Sequence, residues 1–183
     1  MVKNDEWIIK TATEKRMIEP FEPGQVRDGV ISYGVSSYGY DMRLSDVFMA
    51  PVFDGRSELD PKNRDSVRFE EVTTSCFALQ PGCYVLGRSV EYFRIPRDVL
   101  TLCSGKSTYA RCGVLINVTP FEPEWEGHVT ISVANTAPVP VRLYAGEGIA
   151  QVVFLGAEKQ CRTSYADRQG KYQAQQGIER AKL

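Results

Sequence analysis

Between residues 31 and 155 the chain is cut into short runs rich in β-branched and aromatic residues. Residues 83–93, 99–103, 114–118, 128–135, 139–144 and 149–155 each read as a strand. Upstream of them Tyr40, Met42 and Leu44 alternate with polar neighbours, and Gly, Pro, Asp and Asn turns divide the runs. That spacing argues for an antiparallel barrel or jelly roll rather than alternating β-α units. One helix precedes the series. Asn4 or Asp5 can cap it, Trp7, Ile8, Ala12 and Ile18 form its apolar side, and it runs to about Met17 before Pro20 and Pro23 stop it. Residues 53–65, with Asp54, Gly55, Ser57, Asp60 and Pro61, read as a surface loop between strands. Residues 164–183 are polar and rich in Gln, Arg and Lys, which predicts a mobile tail, with Tyr165, Lys171 and Tyr172 able to close over a ligand.

A length of 183 residues, 43% of them hydrophobic, suits a single domain with its own core, residues 1–183. Its 22 basic and 23 acidic residues leave a net charge of -1, so no broad positive field recruits a nucleic-acid backbone or an anionic membrane. Any phosphate binding must then be local. No apolar stretch approaches the roughly 20 residues that span a bilayer, and acidic residues stand near the start where a signal peptide needs an apolar run, so a cytoplasmic protein is expected. Cys76, Cys83, Cys103, Cys112 and Cys161 are odd in number and form no C-x-x-C pair, and are expected to be buried free thiols.

Two near-motifs carry no chemistry. Gly82-Cys-Tyr-Val-Leu-Gly-Arg-Ser89 has the spacing of a phosphate loop, but Arg88 stands for the lysine and its interior is strand-like. Gly105-Lys-Ser-Thr108 resembles the end of the same motif, yet the upstream glycine it requires falls on Leu100. Zinc is poorly supported too, because His128 is the single histidine and neither H-x-E nor P-C-x-x-C occurs. What remains is Gly105-Lys-Ser-Thr-Tyr-Ala-Arg111 between two strands. Ser107 or Thr108 can begin a short helical turn whose free N–H groups face an anion. Lys106 adds a point charge, and Arg111 lies four residues past Ser107 on the same face. These are parts for holding a polyphosphate.

This segment occurs with Ile31-Ser-Tyr-Gly-Val-Ser-Ser-Tyr-Gly-Tyr-Asp41, Glu91-Tyr-Phe-Arg-Ile-Pro96, Asn117-Val-Thr-Pro-Phe-Glu-Pro-Glu-Trp-Glu-Gly127, Tyr144-Ala-Gly-Glu-Gly-Ile-Ala-Gln151 and Gly170-Lys-Tyr-Gln-Ala-Gln-Gln-Gly177. Together they resemble the dCTP deaminase family, relatives of the trimeric dUTPases, over nearly the whole chain. The resemblance implies a mainly β, dUTPase-like distorted barrel or jelly roll with an N-terminal helix and a short phosphate-binding helix. It implies a homotrimer with sites between subunits, Mg2+ accompanying a nucleotide triphosphate, no zinc, and hydrolytic loss of ammonia from cytosine C4 of dCTP or a related deoxynucleotide. By the same resemblance the triphosphate lies on Lys106, Ser107, Thr108, Tyr109, Ala110 and Arg111, with Ser107 and Arg111 also placing the attacking water. Glu122 lies near the deoxyribose, and Thr130, Ile131 and Ser132 line the pyrimidine. Gln151, Tyr165, Lys171 and Gln175 complete the pocket.

The chain departs from the family at Ser132. There the family pattern, Thr-Leu-Glu or a close variant, has a glutamate that takes a proton from water and returns it to the leaving amine. Here the tripeptide is Thr130-Ile131-Ser132. Period-2 geometry puts His128, Thr130, Ser132 and Ala134 on one face and Val129, Ile131 and Val133 on the other, so Ser132 takes the glutamate's place and direction. An alkyl hydroxyl has no pKa near 7, so Ser132 cannot shuttle protons by itself, and loss of a general base typically costs about 10²- to 10⁴-fold in rate. Three readings follow. The chain is a dCTP deaminase whose base has moved to Glu124, Glu126 or a neighbouring subunit's carboxylate; a dUTPase-like triphosphate hydrolase using Glu122 and Mg2+; or a nucleotide-binding protein without chemistry. His128, about 13 Å from Ser132 at about 3.3 Å per residue, is too far for direct proton transfer and reads as structural. Trp125 reads as turn or interface packing, and Arg88, Arg94 and Arg97 receive no role.

Overall fold

In a computed structural model of the chain, residues 1–53, 55, 58–63 and 65–182 are described. Helix α1 (Asp5–Lys15) opens the fold. Asn4 caps it, its side chain accepting the Trp7 N–H at 3.1 Å. It ends two residues before the expected Met17 because Arg16 turns into the left-handed region at φ 53°. Ile8, Thr11 and Ala12 are its buried residues, and Ile18 lies beyond it in the first strand.

The strands are β1 (Ile18–Glu19), β2 (Gln25–Val26), β3 (Tyr33–Ser36), β4 (Gly39–Val52), β5 (Arg68–Thr73), β6 (Cys76–Leu79), β7 (Tyr84–Arg94), β8 (Val99–Gly105), β9 (Val114–Asn117), β10 (Glu126–Asn135), β11 (Val141–Tyr144) and β12 (Gly148–Gly156). A short helix α2 (Ser107–Ala110) lies between β8 and β9. Every pairing between these strands is antiparallel. The long strand β4 joins two halves of one curled sheet. Its first residues pair with β3 and β12, and its later ones, from Leu44, with β7 and β5. On one side β12 continues to β8; on the other β7 continues to β10 and β9. The expected barrel-like antiparallel architecture is the one observed.

The core lies within this curl. Tyr40, Met42 and Leu44 are fully buried with Phe48, Val85, Phe93, Ile131, Val152 and Phe154. Along β10 burial alternates without exception, so Val129, Ile131 and Val133 point inward and Thr130 and Ser132 to the other face. A buried ion pair crosses the interior, with Arg43 Nε donating to Glu91 Oε1 at 2.7 Å and Tyr40 Oη donating to the same carboxylate oxygen at 3.3 Å. Burial pushes the Glu91 carboxyl pKa upward, offset in part by the Arg43 guanidinium.

Two expectations need correction. Strands β5 and β6 were not legible, and β5 is mostly exposed and charged, lacking the alternation that marks a half-buried strand. No cysteine is buried. Cys83 and Cys112 are exposed in turns beside β7 and after α2, and Cys76, Cys103 and Cys161 are half-buried; all five are free. Burial still pushes the Cys103 thiol up to about 12. The C-terminal residues, which the sequence reads as a tail, dock on the fold. Their polar groups find partners on the backbone of residues 123–128, so hydrogen bonds do what an apolar face would otherwise do. For the loop at 53–65, residues 53, 55, 58–63 and 65 are turn or coil, while Asp54 and Ser57 lie outside the described residues. No helix among the described residues is long and apolar enough to cross a membrane.

Candidate active site

The family-like residues fall into two groups. One surrounds a cavity of about 730 Å³ lined by Glu122, Thr130, Tyr165, Lys171 and Gln175, with a hydrophobic wall that includes Leu100, Phe121, Trp125 and Val129. Strand β10 supplies Thr130, the turn before it supplies Glu122 and Trp125, and the tail supplies the rest. Trp125 is buried against Phe121, ring centroids 5.0 Å apart, and its Nε1 donates to the Tyr172 carbonyl at 2.9 Å. Read from the sequence as turn or interface packing, it instead belongs to the core, and it also walls the cavity. The Glu122 carboxylate pairs with Arg168.

The tail forms a strap across β10. Tyr165 N donates to the Pro123 carbonyl at 2.9 Å, Ala174 N to Glu126 at 3.0 Å, and His128 N to the Gln175 carbonyl at 2.9 Å. The buried Gln175 side chain donates to the His128 carbonyl at 2.7 Å and to Thr130 Oγ1 at 2.6 Å. Tyr165 Oη accepts from Tyr172 N at 3.0 Å, and Lys171 Nζ donates to the Lys182 carbonyl. Two arginines that the sequence left without a role hold this strap. Arg88 donates to the Gln176 carbonyl at 3.1 Å, while Arg97 bridges Glu124 at 2.5 Å and Asp167 at 2.6 Å. The Arg97 guanidinium, with the Ser164 N–H, holds the Asp167 carboxyl down to about 2.

The second group is the segment at 106–111. Lys106 caps α2 without a side-chain cap bond, and its ammonium points elsewhere, to Asp41 Oδ2 at 2.6 Å and Ser32 Oγ at 2.9 Å. Arg111 is exposed and donates to the Ser107 carbonyl at 3.0 Å. Thr108 lines a second, shallower cavity of about 690 Å³ with Arg27, Ser32, Tyr144 and Glu147. Tyr109 is buried, its Oη accepting the Tyr144 N–H at 3.1 Å, and burial pushes its pKa up to about 12. Ala110 ends α2, and Gln151 on β12 donates to Ser36 Oγ at 3.1 Å. None of residues 106–111 lines the first cavity.

Ser132 is half-buried on β10, paired with Leu86 on β7 and Asn117 on β9, and shares a face with Thr130. The Ile131 side chain is in the core, so only its backbone can reach a ligand on that face. Glu124 and Glu126, the two positions in this chain considered for a relocated base, do not line the large cavity; Glu124 is bound to Arg97, and Glu126 lies 3.9 Å from Arg94. One carboxylate missed in the sequence does line it, Glu179. Its distance from β10 in sequence left no local pattern to reveal it.

His128 packs edge-on against Tyr92 at 5.3 Å, and its Nδ1 lies 3.2 Å from the Glu91 carbonyl. Burial, with Arg88 nearby, lowers its pKa below the usual histidine range. The folded state therefore binds fewer protons than the unfolded state just below that range, and stability falls with falling pH there. His128→Gln is expected to flatten the decline in melting temperature as pH drops from about 7 toward 5. An unchanged slope in thermal melts would contradict this.

Compared with known proteins, residues 2–156 match the family model described as dCTP deaminase-like. The chain is 57% identical over 181 residues to a dCTP deaminase of Methylococcus capsulatus, covering 97% of this chain and 96% of that one. It is 54% identical over 186 residues to a dCTP deaminase of Nitrosomonas eutropha, covering 100% and 99%. In fold it is similar to the crystal structure of 2'-deoxycytidine 5'-triphosphate deaminase from Agrobacterium tumefaciens, with a TM-score of 0.64 and 16% identity. That match covers 84% of this chain but 47% of the longer one. The curled antiparallel sheet and the near full-length likeness agree, and the chain belongs to the dCTP deaminase-like family.

Proposed function

We propose that this chain hydrolyses dCTP to dUTP and ammonia. The observation that carries the reading is the cavity gathering Glu122, Thr130, Tyr165, Lys171 and Gln175, in a chain whose full-length relatives are dCTP deaminases. The base lies against Thr130 and the backbone of residues 130–132, the sugar near Glu122, and Lys171 supplies positive charge from the tail. The triphosphate needs further cations, which residues 106–111 offer from outside this cavity. Their separation supports a site completed by a second copy of the chain. So do the leucines exposed on β8 and β9, Leu100 at 39%, Leu102 at 48% and Leu115 at 61%, apolar surface of the kind that self-association covers. A homotrimer in the cytoplasm is the assembly proposed.

Ser107 and Arg111 orient the water that attacks C4. Arg111 is the freer cation for the triphosphate, since its guanidinium is exposed whereas the Lys106 ammonium is bound to Asp41. Mg2+ enters as part of the nucleotide substrate, screening charge between the phosphates. Among the described residues no group of three or more His, Cys, Asp or Glu side chains is placed to hold an ion. A chelator selective for zinc, with Mg2+ in excess, is expected to leave the rate unchanged; loss of rate would contradict the scheme.

Incubation with dCTP and Mg2+, followed by separation of the nucleotides, tests the reading. dUTP is expected. A monophosphate with pyrophosphate would instead favour a dUTPase-like hydrolase, and unchanged nucleotide with tight binding a non-catalytic member, a reading Ser132 by itself favours.

A further inference from the structure

The structure assigns to Glu179, in the C-terminal strap, the proton transfers that Ser132 cannot perform. This rests on the deaminase reading. Among the described residues two acidic residues line the large cavity, Glu122, whose carboxylate pairs with Arg168, and Glu179, whose carboxylate pairs with Lys182. Glu179 is held against the strand that carries Ser132. Its backbone N–H donates at 3.0 Å to Thr130 Oγ1, the oxygen that also accepts from Gln175 Nε2 at 2.6 Å. Thr130 and Ser132 lie on the same face, about 7 Å apart at about 3.3 Å per residue. Lys182 Nζ pairs with Glu179 Oε2 at 2.8 Å, which fixes the carboxylate at this end of the strap. The tail thus brings a carboxylate to the strand face on which the side chain of residue 132 is too short and too weakly basic to act. Glu179 lies beyond residues 2–156, the part matched by the family model.

The step balances. Water adds its oxygen to C4 while one proton passes to the Glu179 carboxylate, and the C4=N3 electron pair moves to N3, which takes up that proton. The second proton of the added water travels through the same carboxylate to the amino nitrogen. The C4–N bond then breaks, ammonia leaves with its electron pair, and C4=O remains. Glu179 ends as the carboxylate it began.

Glu179→Gln keeps size and hydrogen bonding but removes the base. Its kcat is expected to fall by about 10²- to 10⁴-fold while the dCTP dissociation constant stays within about threefold. The acidic limb of the wild-type pH–rate profile should vanish with it, and Ser132→Glu added to Glu179→Gln should restore turnover. A purely structural role for Glu179 would move binding and stability and would not be rescued from position 132. If both chains form dUTP at equal rates, the assignment is overturned and the deaminase reading stands. If the wild-type chain forms no dUTP, both are overturned.

Discussion

Lys106→Met is expected to lower the free energy of unfolding by about 3–5 kcal/mol, the usual cost of removing one partner of a buried ion pair. The Lys106 and Asp41 side chains are 12% and 3% exposed, so little solvent screens the contact. Without the ammonium, Asp41 retains Gln25 Nε2 at 3.2 Å as a side-chain donor, and its Oδ1 is already buried with no hydrogen-bond partner among the described residues. Methionine fills similar volume, so packing is a minor part of the loss. Urea denaturation of both chains measures it. A change below about 1 kcal/mol would mean that the ion pair is readily replaced by water. Arg111→Ala is the contrasting variant, since that side chain is exposed and its removal should weaken triphosphate binding with little change in stability.

Gly127→Ala is expected to undock the strap and lower kcat by about 10²-fold or more, since it would withdraw Glu179 and Gln175 together. Gly127 has φ 148°, where a side chain is strained, and an added Cβ would meet Gln175 N at 2.9 Å and Gln175 Cβ at 3.0 Å. The bridge between Gly127 and Gln175 is where the tail joins β10. Core residues on the opposite face of β10 should remain packed, so the melting temperature should change far less than the rate. Faster amide exchange at His128 and Ala174, with reduced turnover, is the expected pair of results. Wild-type exchange at those amides would contradict the steric account.

The architecture was legible because its strands are half-buried. The alternation along β7 and β10 writes itself into the sequence, and it also placed Ser132 beside Thr130 and opposite Ile131. β5 escaped because both its faces are largely exposed, and the docked tail because it is held by hydrogen bonds of its backbone and of polar side chains rather than by an apolar face. The phosphate-like segment was visible as a run of residue types, but the direction of Lys106 was not. Asp41 lies 65 residues away in sequence, and no local pattern links the two. Glu179 was hidden for the same reason, its backbone resting on Thr130 from 49 residues away.

The central claim is that this chain, with Ser132 in place, removes the amino group of dCTP. Single-turnover assays with enzyme in excess over dCTP and Mg2+, scoring ammonia and dUTP in parallel, test it most directly. The expected result is equal molar release of both, with no pyrophosphate. Intact dCTP under conditions where binding is saturated, or pyrophosphate in place of ammonia, would contradict it.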